Sequence, residues 1–308
     1  MLRAEIQAFN EKRAASGMKP VHQVSIAEAR RRTMPTEAMM GVPEPIYSVQ
    51  DRFIPGPTSY LPIRIYRPSA AENLPVMVFF HGGGWALGNL DGYEQALRAF
   101  ANKINTVVIS VFYQKAPEHP FPIPFDDCYA TFQWVVENAG DLKIDISKLG
   151  IAGDSAGGNL AAAVCLKNRD ENFADVLYQL LIYPGLDDNL DTESMLKNGA
   201  YGLSREDSIY FFGMYAGNAD RNNPYLLPLK AKDFSGLPTT IMMVAEYDII
   251  RDDGIAYKDK LEAAGIEVLF RNYLDSNHGT LLYAGFSDLA LKIQADLSAD
   301  VKSILVRK

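Results

Sequence analysis

The strongest chemical signal in the chain is a serine inside a glycine-flanked turn, Gly153-Asp154-Ser155-Ala156-Gly157. An apolar run that ends at Ala152 precedes the turn, and a stretch with helical character begins near Asn159. Between a strand and a helix, such a serine takes a strained backbone conformation, and glycines two residues away on each side avoid collisions. The pattern favours an exposed, nucleophilic Ser155 hydroxyl over a plain glycine-rich turn.

A second signal is His81-Gly82-Gly83-Gly84-Trp85, which directly follows the apolar run Val76 to Phe80. Each glycine lowers stability by roughly 0.5–1 kcal/mol relative to alanine in regular structure, because it loses more conformational entropy on folding. Three in a row therefore indicate that this loop needs backbone without side chains. Acyl transfer requires it, because its tetrahedral intermediate carries an oxyanion that preorganised N–H donors stabilise. We expect the amides of Gly83, Gly84 and Ala156 to form this oxyanion hole. A phosphate cradle is disfavoured, because neither common phosphate-loop spacing is present.

A serine hydroxyl needs a base, usually a histidine that a carboxylate holds in the correct tautomer. The chain has four histidines, His22, His81, His119 and His278. Where a serine occupies this kind of turn between strand and helix, the acid and then the histidine follow it along the chain. Only His278 lies beyond Ser155, in a polar turn after the apolar run Glu267 to Tyr273, so we predict His278 as the base.

Position selects the acid from the carboxylates between the serine and the histidine. Asp248 lies just past the apolar run Thr239 to Ala245, and a strand end fixes a side chain firmly. Glu246 is the rival, but it lies nearer the strand, where a structural ion pair or backbone contact is more typical. We predict Asp248 as the acid and expect Asp252 or Asp253 to cap the next helix.

Strand-like and helix-like stretches alternate from Tyr47 onward. The apolar runs that indicate strands are Leu61 to Tyr66, Val76 to Phe80, Thr106 to Phe112, Leu149 to Ala152, Tyr178 to Tyr183, Thr239 to Ala245 and Glu267 to Tyr273. Candidate helices include Asp126 to Asn138, Asn159 to Asn168 and Gly254 to Ala264. Continuous apolar strands suit burial on both faces, so we predict an α/β fold with a mostly parallel, doubly wound sheet.

Two segments interrupt this alternation. Residues 1–45 have apolar residues at helical spacing, then a run of three arginines at 30–32, then prolines that include Pro35. Residues 185–217 are too long for an ordinary connection. We interpret them as an N-terminal helical cap segment and a cap insertion on a core of residues 46–184 and 218–308.

The side chains of these segments suggest further expectations. The three arginines suit a solvated helix face better than an anion site. The insertion carries a cluster of four aromatic residues, Tyr210, Phe211, Phe212 and Tyr215. These rings could line an apolar pocket or pack the insertion onto the core, and the sequence leaves both open.

Composition excludes several classes of function. The 308 residues carry a net charge of −8, the wrong sign for coating nucleic acid. The longest apolar runs fall far short of the ~20 residues that span a bilayer, and Glu5 and Glu11 interrupt any export signal. We expect a cytoplasmic protein with no membrane or nucleic-acid partner. Cys128 and Cys165 are too few for a disulfide framework, so we expect reduced core residues.

Several segments resemble, in order and spacing, the bacterial hormone-sensitive-lipase-like family of α/β-hydrolase carboxylesterases. They are HGGGW, GDSAGGN, the Tyr183-Pro184 pair, AEYDIIRDDG and the final HG, and they span nearly the whole chain. The resemblance implies an α/β-hydrolase fold with a helical cap. It implies Ser155, Asp248 and His278 as the triad, beside an oxyanion hole at the loop described above.

The resemblance also assigns supporting residues. Asp154 and Glu118 occupy family positions, which we interpret as supports of the serine turn and the oxyanion loop rather than proton-transfer groups. His81 is expected to brace that loop through its ring nitrogens.

The chain departs from the family pattern at a few positions. Lys115 replaces a leucine in YQKAPEHPFP, and Ile249 and Ile250 stand where proline and leucine are usual. Thr280 follows Gly279 where phenylalanine is common, so the sequence does not identify the residue that forms the wall of the acyl pocket.

The resemblance implies a serine carboxylesterase that hydrolyses short- to medium-chain esters through an acyl-enzyme. Amide, carbamate or formamide hydrolysis by the same triad remains open, whereas His278 disfavours a non-catalytic small-molecule receptor. We expect no cofactor and no metal, because the histidines and cysteines lack metal-binding spacing. A small ester is the expected partner, and a homodimer could form through the edge run Glu267 to Tyr273.

Overall fold

The computed structural model of the protein describes residues 1–34 and 36–307, so Pro35 and Lys308 lie outside the described residues. The strands are β1 (Ser48–Pro55), β2 (Tyr60–Arg67), β3 (Leu74–Phe80), β4 (Val107–Val111), β5 (Ile144–Asp154), β6 (Tyr178–Ile182), β7 (Thr239–Tyr247) and β8 (Val268–Asn277). They form one eight-stranded sheet in the order β1-β2-β4-β3-β5-β6-β7-β8. β2 is antiparallel to both β1 and β4, and the remaining neighbours are parallel. The predicted α/β fold with a mostly parallel sheet is confirmed.

Helices cover both faces of the sheet. They are α1 (Ala4–Ala15), α2 (Ile26–Arg32), α3 (Glu37–Met40), α4 (Glu94–Ile104), α5 (Ile123–Glu137), α6 (Ala139–Leu142), α7 (Ala156–Glu171), α8 (Glu193–Lys197), α9 (Arg205–Ala216), α10 (Arg251–Ala263) and α11 (Asp288–Leu305). Helices α5, α7 and α10 bury side chains in one apolar core, and α4 and α11 bury theirs in the other. The sheet therefore separates two cores.

Strand β3 shows why the central strands have continuous apolar sequences. Val76, Val78 and Phe80 enter the core beside α5 and α7, whereas Met77 and Phe79 enter the core beside α4 and α11. All five side chains are fully buried. Because successive strand residues point to opposite faces, burial on both faces requires apolar residues at every position. The predicted apolar runs correspond to strands β2 to β8.

Strand β1 was not predicted, and three helices start ahead of their predicted positions, among them α5, which begins at Ile123 rather than at Asp126. β1 is an edge strand whose residues are mostly exposed, with Phe53 at 74%, so it lacks a continuous apolar run. Helix α7 begins at Ala156, directly after the serine, rather than near Asn159. Helix α10 begins at Arg251, ahead of the predicted start, so its first acidic residues lie inside the first turn.

The expectation that Asp252 or Asp253 caps α10 is therefore wrong. Both carboxylates instead accept bonds from the backbone of the 185–217 insertion. Asp253 Oδ2 accepts from Leu186 N–H at 2.9 Å, and Asp252 Oδ2 accepts from Ser194 N–H at 2.8 Å. The start of α10 thus anchors the insertion to the core.

The N-terminal segment and the insertion contact each other beside the carboxyl ends of the strands. His22 Nδ1 lies 2.8 Å from Asp207 Oδ1, and Tyr210 Oη donates to Val24 C=O at 3.3 Å. Helices α1 to α3 and α8 to α9 belong to these two segments. That they act together as a cap remains our proposal.

The three arginines of α2 differ in their surroundings. Arg31 is exposed, as expected for a solvated face, but Arg32 donates to Lys19 C=O, at 2.6 Å. Arg30 turns toward the core and donates to the backbone carbonyl of Ala86 at 2.9 Å. The expectation of one solvated arginine face is therefore wrong for Arg30, because that side chain points between α2 and the core.

Two further observations concern the cysteines and the helices. Cys128 and Cys165 are free and buried, which confirms the expectation of reduced core residues. Across residues 1–34 and 36–307, none of the helices combines the length and the apolar character that crossing a bilayer would need.

The serine turn tolerates no side chain at Gly157, because an added Cβ would lie 1.9 Å from Phe80 O. We expect Gly157→Ala to lower the free energy of unfolding by about 3 kcal/mol or to prevent soluble expression, since the obstacle is backbone. Gly140→Ala is the matched control, because its Cβ would meet nothing within 4 Å. In helix α6 it should be neutral or stabilising, by up to about 1 kcal/mol. Urea denaturation measures both, and equal stability of the two variants would contradict the prediction.

Candidate active site

Ser155 occupies the one-residue turn between β5 and α7. Its backbone has φ 54° and ψ −120°, a region that non-glycine residues rarely adopt, at a strain of order 1–3 kcal/mol. Backbone bonds hold this turn. Ser155 N–H donates to Ile182 C=O at 2.9 Å, and Ser155 C=O accepts from Asn159 N–H at 3.1 Å and from Gly185 N–H at 3.4 Å. The turn places Ser155 in the wall of a cavity at the carboxyl end of the sheet.

His278 links this serine to a buried carboxylate. Its Nε2 lies 2.8 Å from Ser155 Oγ, and its Nδ1 lies 2.6 Å from Asp248 Oδ2. Asp248 is 1% exposed, and its Oδ1 accepts a bond from Ile250 N–H at 3.1 Å. Because a carboxylate only accepts, Nδ1 carries the proton, which leaves Nε2 free to accept the serine proton. The structure thus joins the predicted serine, histidine and acid through hydrogen-bond contacts.

Sheet topology explains how residues so far apart in sequence meet. Ser155 follows β5, Asp248 directly follows β7, and His278 directly follows β8. These strands are parallel and, with β6, adjacent in the sheet. Their carboxyl ends therefore open on one edge, where α/β sheets place their functional loops.

The turn that carries His278 is held from within. Thr280 is fully buried, and its hydroxyl donates to Asn277 C=O at 2.8 Å. Asn277 in turn donates through its amide to Tyr201 C=O in the insertion, at 2.5 Å. Thr280 is not among the described residues that line the cavity, whereas Gly279 is. The substitution of phenylalanine by threonine thus affects the histidine turn rather than the cavity wall.

The pKa of His278 reflects opposing influences. Burial lowers it, but the charge of Asp248 and the hydrogen bond to it, together with the charge of Asp154, raise it above its ordinary value. The pair therefore favours the imidazolium that forms when the ring takes up a proton. This is the electrostatic behaviour expected of a general base that is backed by a buried acid.

The glycine loop after β3 is braced by His81. Burial and the charge of Lys115 lower the pKa of His81 to about 3, so its ring is neutral. Its Nδ1 lies 2.8 Å from Gly82 C=O and must be the donor, because a carbonyl only accepts. Since the peptide is planar and trans, fixing Gly82 C=O also fixes the Gly83 N–H on the opposite side. Only Nδ1 acts in this way, because Nε2 has no partner among the described residues.

The next peptide is fixed in the same manner by the turn itself. Gly83 C=O accepts bonds from Ala86 N–H at 3.2 Å and from Leu87 N–H at 2.8 Å. The Gly84 N–H belongs to the same peptide plane and points the other way. Gly83, Gly84 and Ala156 line one cavity with Ser155 and His278. Their proposed role as an oxyanion hole is compatible with this arrangement.

Asp154 connects the serine turn to the glycine loop. Its Oδ1 accepts from Gly82 N–H at 2.7 Å, and its Oδ2 accepts from Tyr93 Oη at 3.0 Å. Burial raises the pKa of Asp154 to about 6, although the bonds from Tyr93 and Gly82 oppose that rise. Tyr93 also accepts from Gly82 N–H at 2.9 Å. Sequence reasoning missed Tyr93, because a lone tyrosine before a helix carries no signal.

Glu118, a predicted support, and Glu246, the rival acid, lie farther out. Glu118 is half exposed and contacts neither the serine turn nor the glycine loop; its carboxylate accepts bonds from Arg30 at 2.8 and 2.7 Å. Arg30, which no motif indicated, links Glu118 to the backbone of Ala86. Glu246 forms an ion pair with Arg251 at 2.7 Å and accepts from Asn272 Nδ2 at 2.9 Å.

The residues that depart from the family pattern, Lys115, Ile249 and Ile250, have the following surroundings. Lys115 Nζ lies 3.2 Å from the centroid of the Phe112 ring, and burial and the charge of Arg30 lower the pKa of Lys115 to about 7. Ile249 and Ile250 pack with Met195 of helix α8. Ile250 also lines the cavity.

The cavity has a volume of about 490 Å³. Besides the residues named above, the apolar side chains that line it include Met39, Leu87, Leu190, Met195, Leu203, Ile209, Phe211, Phe212 and Leu282. The aromatic cluster of the insertion therefore divides. Phe211 and Phe212 line the cavity, whereas Tyr215 stacks on Trp85 with ring centroids 4.5 Å apart. Over the described ranges, three or more His, Cys, Asp or Glu side chains nowhere converge as metal ligands would.

Comparisons with known proteins agree with this fold. A family model described as alpha/beta hydrolase fold matches residues 77–282. The carboxylesterase NlhH of Mycobacterium tuberculosis is 36% identical over 293 residues, which cover 92% of this chain and 89% of that protein. The arylesterase of Saccharolobus solfataricus is 38% identical over 229 residues, 73% of this chain and 74% of that protein. An ester hydrolase from the metagenome of Lake Arreo, complexed with a bipyridine phosphonate derivative, has a TM-score of 0.94 at 34% identity, covering 98% of this chain and 99% of that chain.

The electrostatic balance at His278 is directly testable. We expect Asp248→Asn to lower the pKa of the His278 ring, because burial remains while the compensating charge is lost. Titration of ¹⁵N-labelled histidines by NMR measures this pKa. Asp207→Asn, which removes the carboxylate beside His22, is the control and should leave the pKa of His278 unchanged. An unaltered pKa in Asp248→Asn would show that the pair is not coupled.

Proposed function

The chain belongs to the hormone-sensitive-lipase-like carboxylesterases of the α/β-hydrolase fold, so it is a carboxylic ester hydrolase. We propose that it cleaves short- to medium-chain esters through an acyl-enzyme, with Ser155, His278 and Asp248 as the catalytic triad. One observation carries the proposal. The unbroken hydrogen-bond chain from Asp248 through His278 to Ser155 ends in a cavity that is also lined by Gly83 and Gly84.

The first half of the reaction transfers the acyl group to the protein. His278 Nε2 removes the proton from Ser155 Oγ as Oγ attacks the ester carbonyl carbon. The carbonyl π electrons move to the oxygen, and the amides of Gly83, Gly84 and Ala156 stabilise that oxyanion. His278 then gives its proton to the leaving alkoxide as the C–O bond breaks, which releases the alcohol.

The second half returns the protein to its starting state. A water molecule occupies the position of the departed alcohol, and His278 removes its proton as the water oxygen attacks the acyl carbon. The tetrahedral intermediate collapses, the bond to Ser155 Oγ breaks, and His278 returns the proton to that oxygen. Asp248 accepts the hydrogen bond from His278 Nδ1 and stabilises the imidazolium.

The cavity supports a small substrate. Its volume of about 490 Å³ falls in the range of small-molecule sites, and most of its lining side chains are apolar. Its walls come from the N-terminal segment and the insertion as well as from the core, with Met39, Leu203 and Phe212 as examples. A short or medium acyl chain can be buried there.

We expect Ser155→Ala to lower kcat for p-nitrophenyl butyrate by about 10⁴-fold or more, because the nucleophile is lost while the fold is kept. Ser147→Ala is the matched control, since Ser147 is an exposed serine at the other end of β5. A fluorophosphonate probe should add its mass to the wild type and to Ser147→Ala but not to Ser155→Ala. Wild-type turnover by Ser155→Ala would refute the role of the serine.

The limited volume of the cavity predicts a chain-length profile. With p-nitrophenyl esters from acetate to palmitate, kcat/KM should rise through the short chains, since each buried methylene contributes about 0.8 kcal/mol, and should fall at least tenfold by palmitate. Equal rates at butyrate and palmitate would contradict a bounded pocket. The anilide of the best acyl group tests amide hydrolysis, and an anilide kcat/KM at or above that of the ester would assign the protein to amide hydrolysis.

A further inference from the structure

The turn that carries the Gly83 and Gly84 amides, residues 82–87 and here called the oxyanion turn, is held from outside as well as from within. Its inner bonds run from Ala86 N–H and Leu87 N–H to Gly83 C=O. The carbonyl of Ala86 has a different partner, because it accepts from Arg30 Nε at 2.9 Å. Arg30 lies 56 residues earlier in the chain, on helix α2 of the N-terminal segment.

The same guanidinium also binds a second backbone segment beside the oxyanion turn. Arg30 Nη2 donates to Ala116 C=O at 2.9 Å. Ala116 N–H in turn donates to Trp85 C=O at 3.0 Å. A closed ring of contacts therefore joins Arg30, Ala116 and residues 85–86. Only a guanidinium, with five N–H donors in a fixed fork, can satisfy these acceptors together.

Glu118 fixes the guanidinium itself. Its two carboxylate oxygens accept from Arg30 Nη1 at 2.8 Å and from Arg30 Nη2 at 2.7 Å. Such bidentate pairs define orientation as well as attraction. The neighbouring Arg31 is exposed and makes no comparable contact within the described residues. The ring of contacts is thus specific to one of the three consecutive arginines.

Packing holds the other side of the oxyanion turn. The ring of Phe211, from helix α9, lies directly against Gly84, so that a Cβ there would be 2.5 Å from the ring. Ala29, Ala86, Leu87 and Phe211 share one small apolar cluster. The N-terminal segment and the insertion therefore enclose the oxyanion turn, and Arg30 makes a polar connection between that turn and the N-terminal segment.

We propose that Arg30 is a positioning residue for ester hydrolysis, which makes the alignment of the Gly83 and Gly84 amides depend on docking of the N-terminal segment. This inference rests on the proposed function of those amides. Arg30 is not among the described residues that line the cavity, so it acts on the oxyanion rather than on substrate binding. Loss of Arg30 therefore lowers kcat and leaves KM nearly unchanged.

The test compares Arg30→Ala, Arg30→Lys and Glu118→Gln with Arg31→Ala as the matched control. For p-nitrophenyl butyrate, kcat should fall about 10- to 100-fold in both Arg30 variants and less in Glu118→Gln, with KM within about threefold. Lysine keeps the charge but not the fork, so it should not restore the rate. Arg31→Ala should behave as wild type.

A second readout isolates the oxyanion. Ser155 Oγ bonds to the carbonyl carbon of an alkyl trifluoromethyl ketone as His278 Nε2 takes the hydroxyl proton. The π electrons of the ketone move to its oxygen, which becomes the anion that the amides stabilise. Its affinity should fall in proportion to kcat/KM across the Arg30 variants, as expected of a transition-state analogue. Added ethylguanidinium should partly restore kcat in Arg30→Ala but not in Glu118→Gln. Thermal unfolding identifies any variant that fails to fold, and Glu118→Gln, at a half-exposed site, keeps the test decisive in that case.

Two outcomes overturn the inference. One is wild-type kcat and inhibitor affinity in the folded Arg30 variants, or in Glu118→Gln if the Arg30 variants do not fold. The other is a raised KM at unchanged kcat in those same variants. Neither outcome affects the proposed function, because that proposal is tested by the ester hydrolysis and probe labelling of the wild-type protein. If the wild-type protein neither turns over esters nor reacts with the fluorophosphonate probe at Ser155, the proposed function fails first.

Discussion

The placement of one imidazole between a buried carboxylate and a strained serine is the constraint on which the rest of the structure depends. Asp248 is almost fully buried, and a buried charge is tolerated only where donors surround it. The donors are the Ile250 N–H and the Nδ1 of His278. The hydrogen bond from His278 therefore stabilises the buried carboxylate. The same bond fixes the orientation of the imidazole ring, which places Nε2 beside Ser155 Oγ.

The sheet meets this constraint by topology. Parallel neighbours bring the ends of β5, β7 and β8 to one edge, and β3 lies beside β5 so that the glycine loop reaches the same place. Asp154 then joins the two motifs, because it belongs to the serine turn and binds the backbone of Gly82. The position of the nucleophile and the position of the amides are consequently not independent of each other.

Sequence reasoning succeeded where a local pattern has a single physical cause. Continuous apolar runs located the strands β2 to β8, and glycines marked the two places where backbone must approach closely. It failed where the cause is tertiary. Edge strand β1 has no apolar run because little of it is buried, and helix α7 begins earlier than its amphipathic pattern because the serine turn supplies the first helical bond. Arg30 and Glu118 face each other across 88 residues, and neither the run of arginines nor the residues around Glu118 indicates that contact.

The sheet carries the reacting groups, whereas the N-terminal segment and the insertion form much of the cavity wall. This separation affects how such a protein can diversify. Reacting groups sit at strand ends, where a substitution disturbs the central layer, whereas much of the cavity wall comes from segments that add no strand. New substrate preferences can therefore arise by drift in those segments at little expense to folding. The guanidinium that reaches the backbone of Ala86 sets a boundary to that freedom: a descendant with a different N-terminal segment must keep one fork-shaped cation at the same place or rebuild the turn that the cation holds.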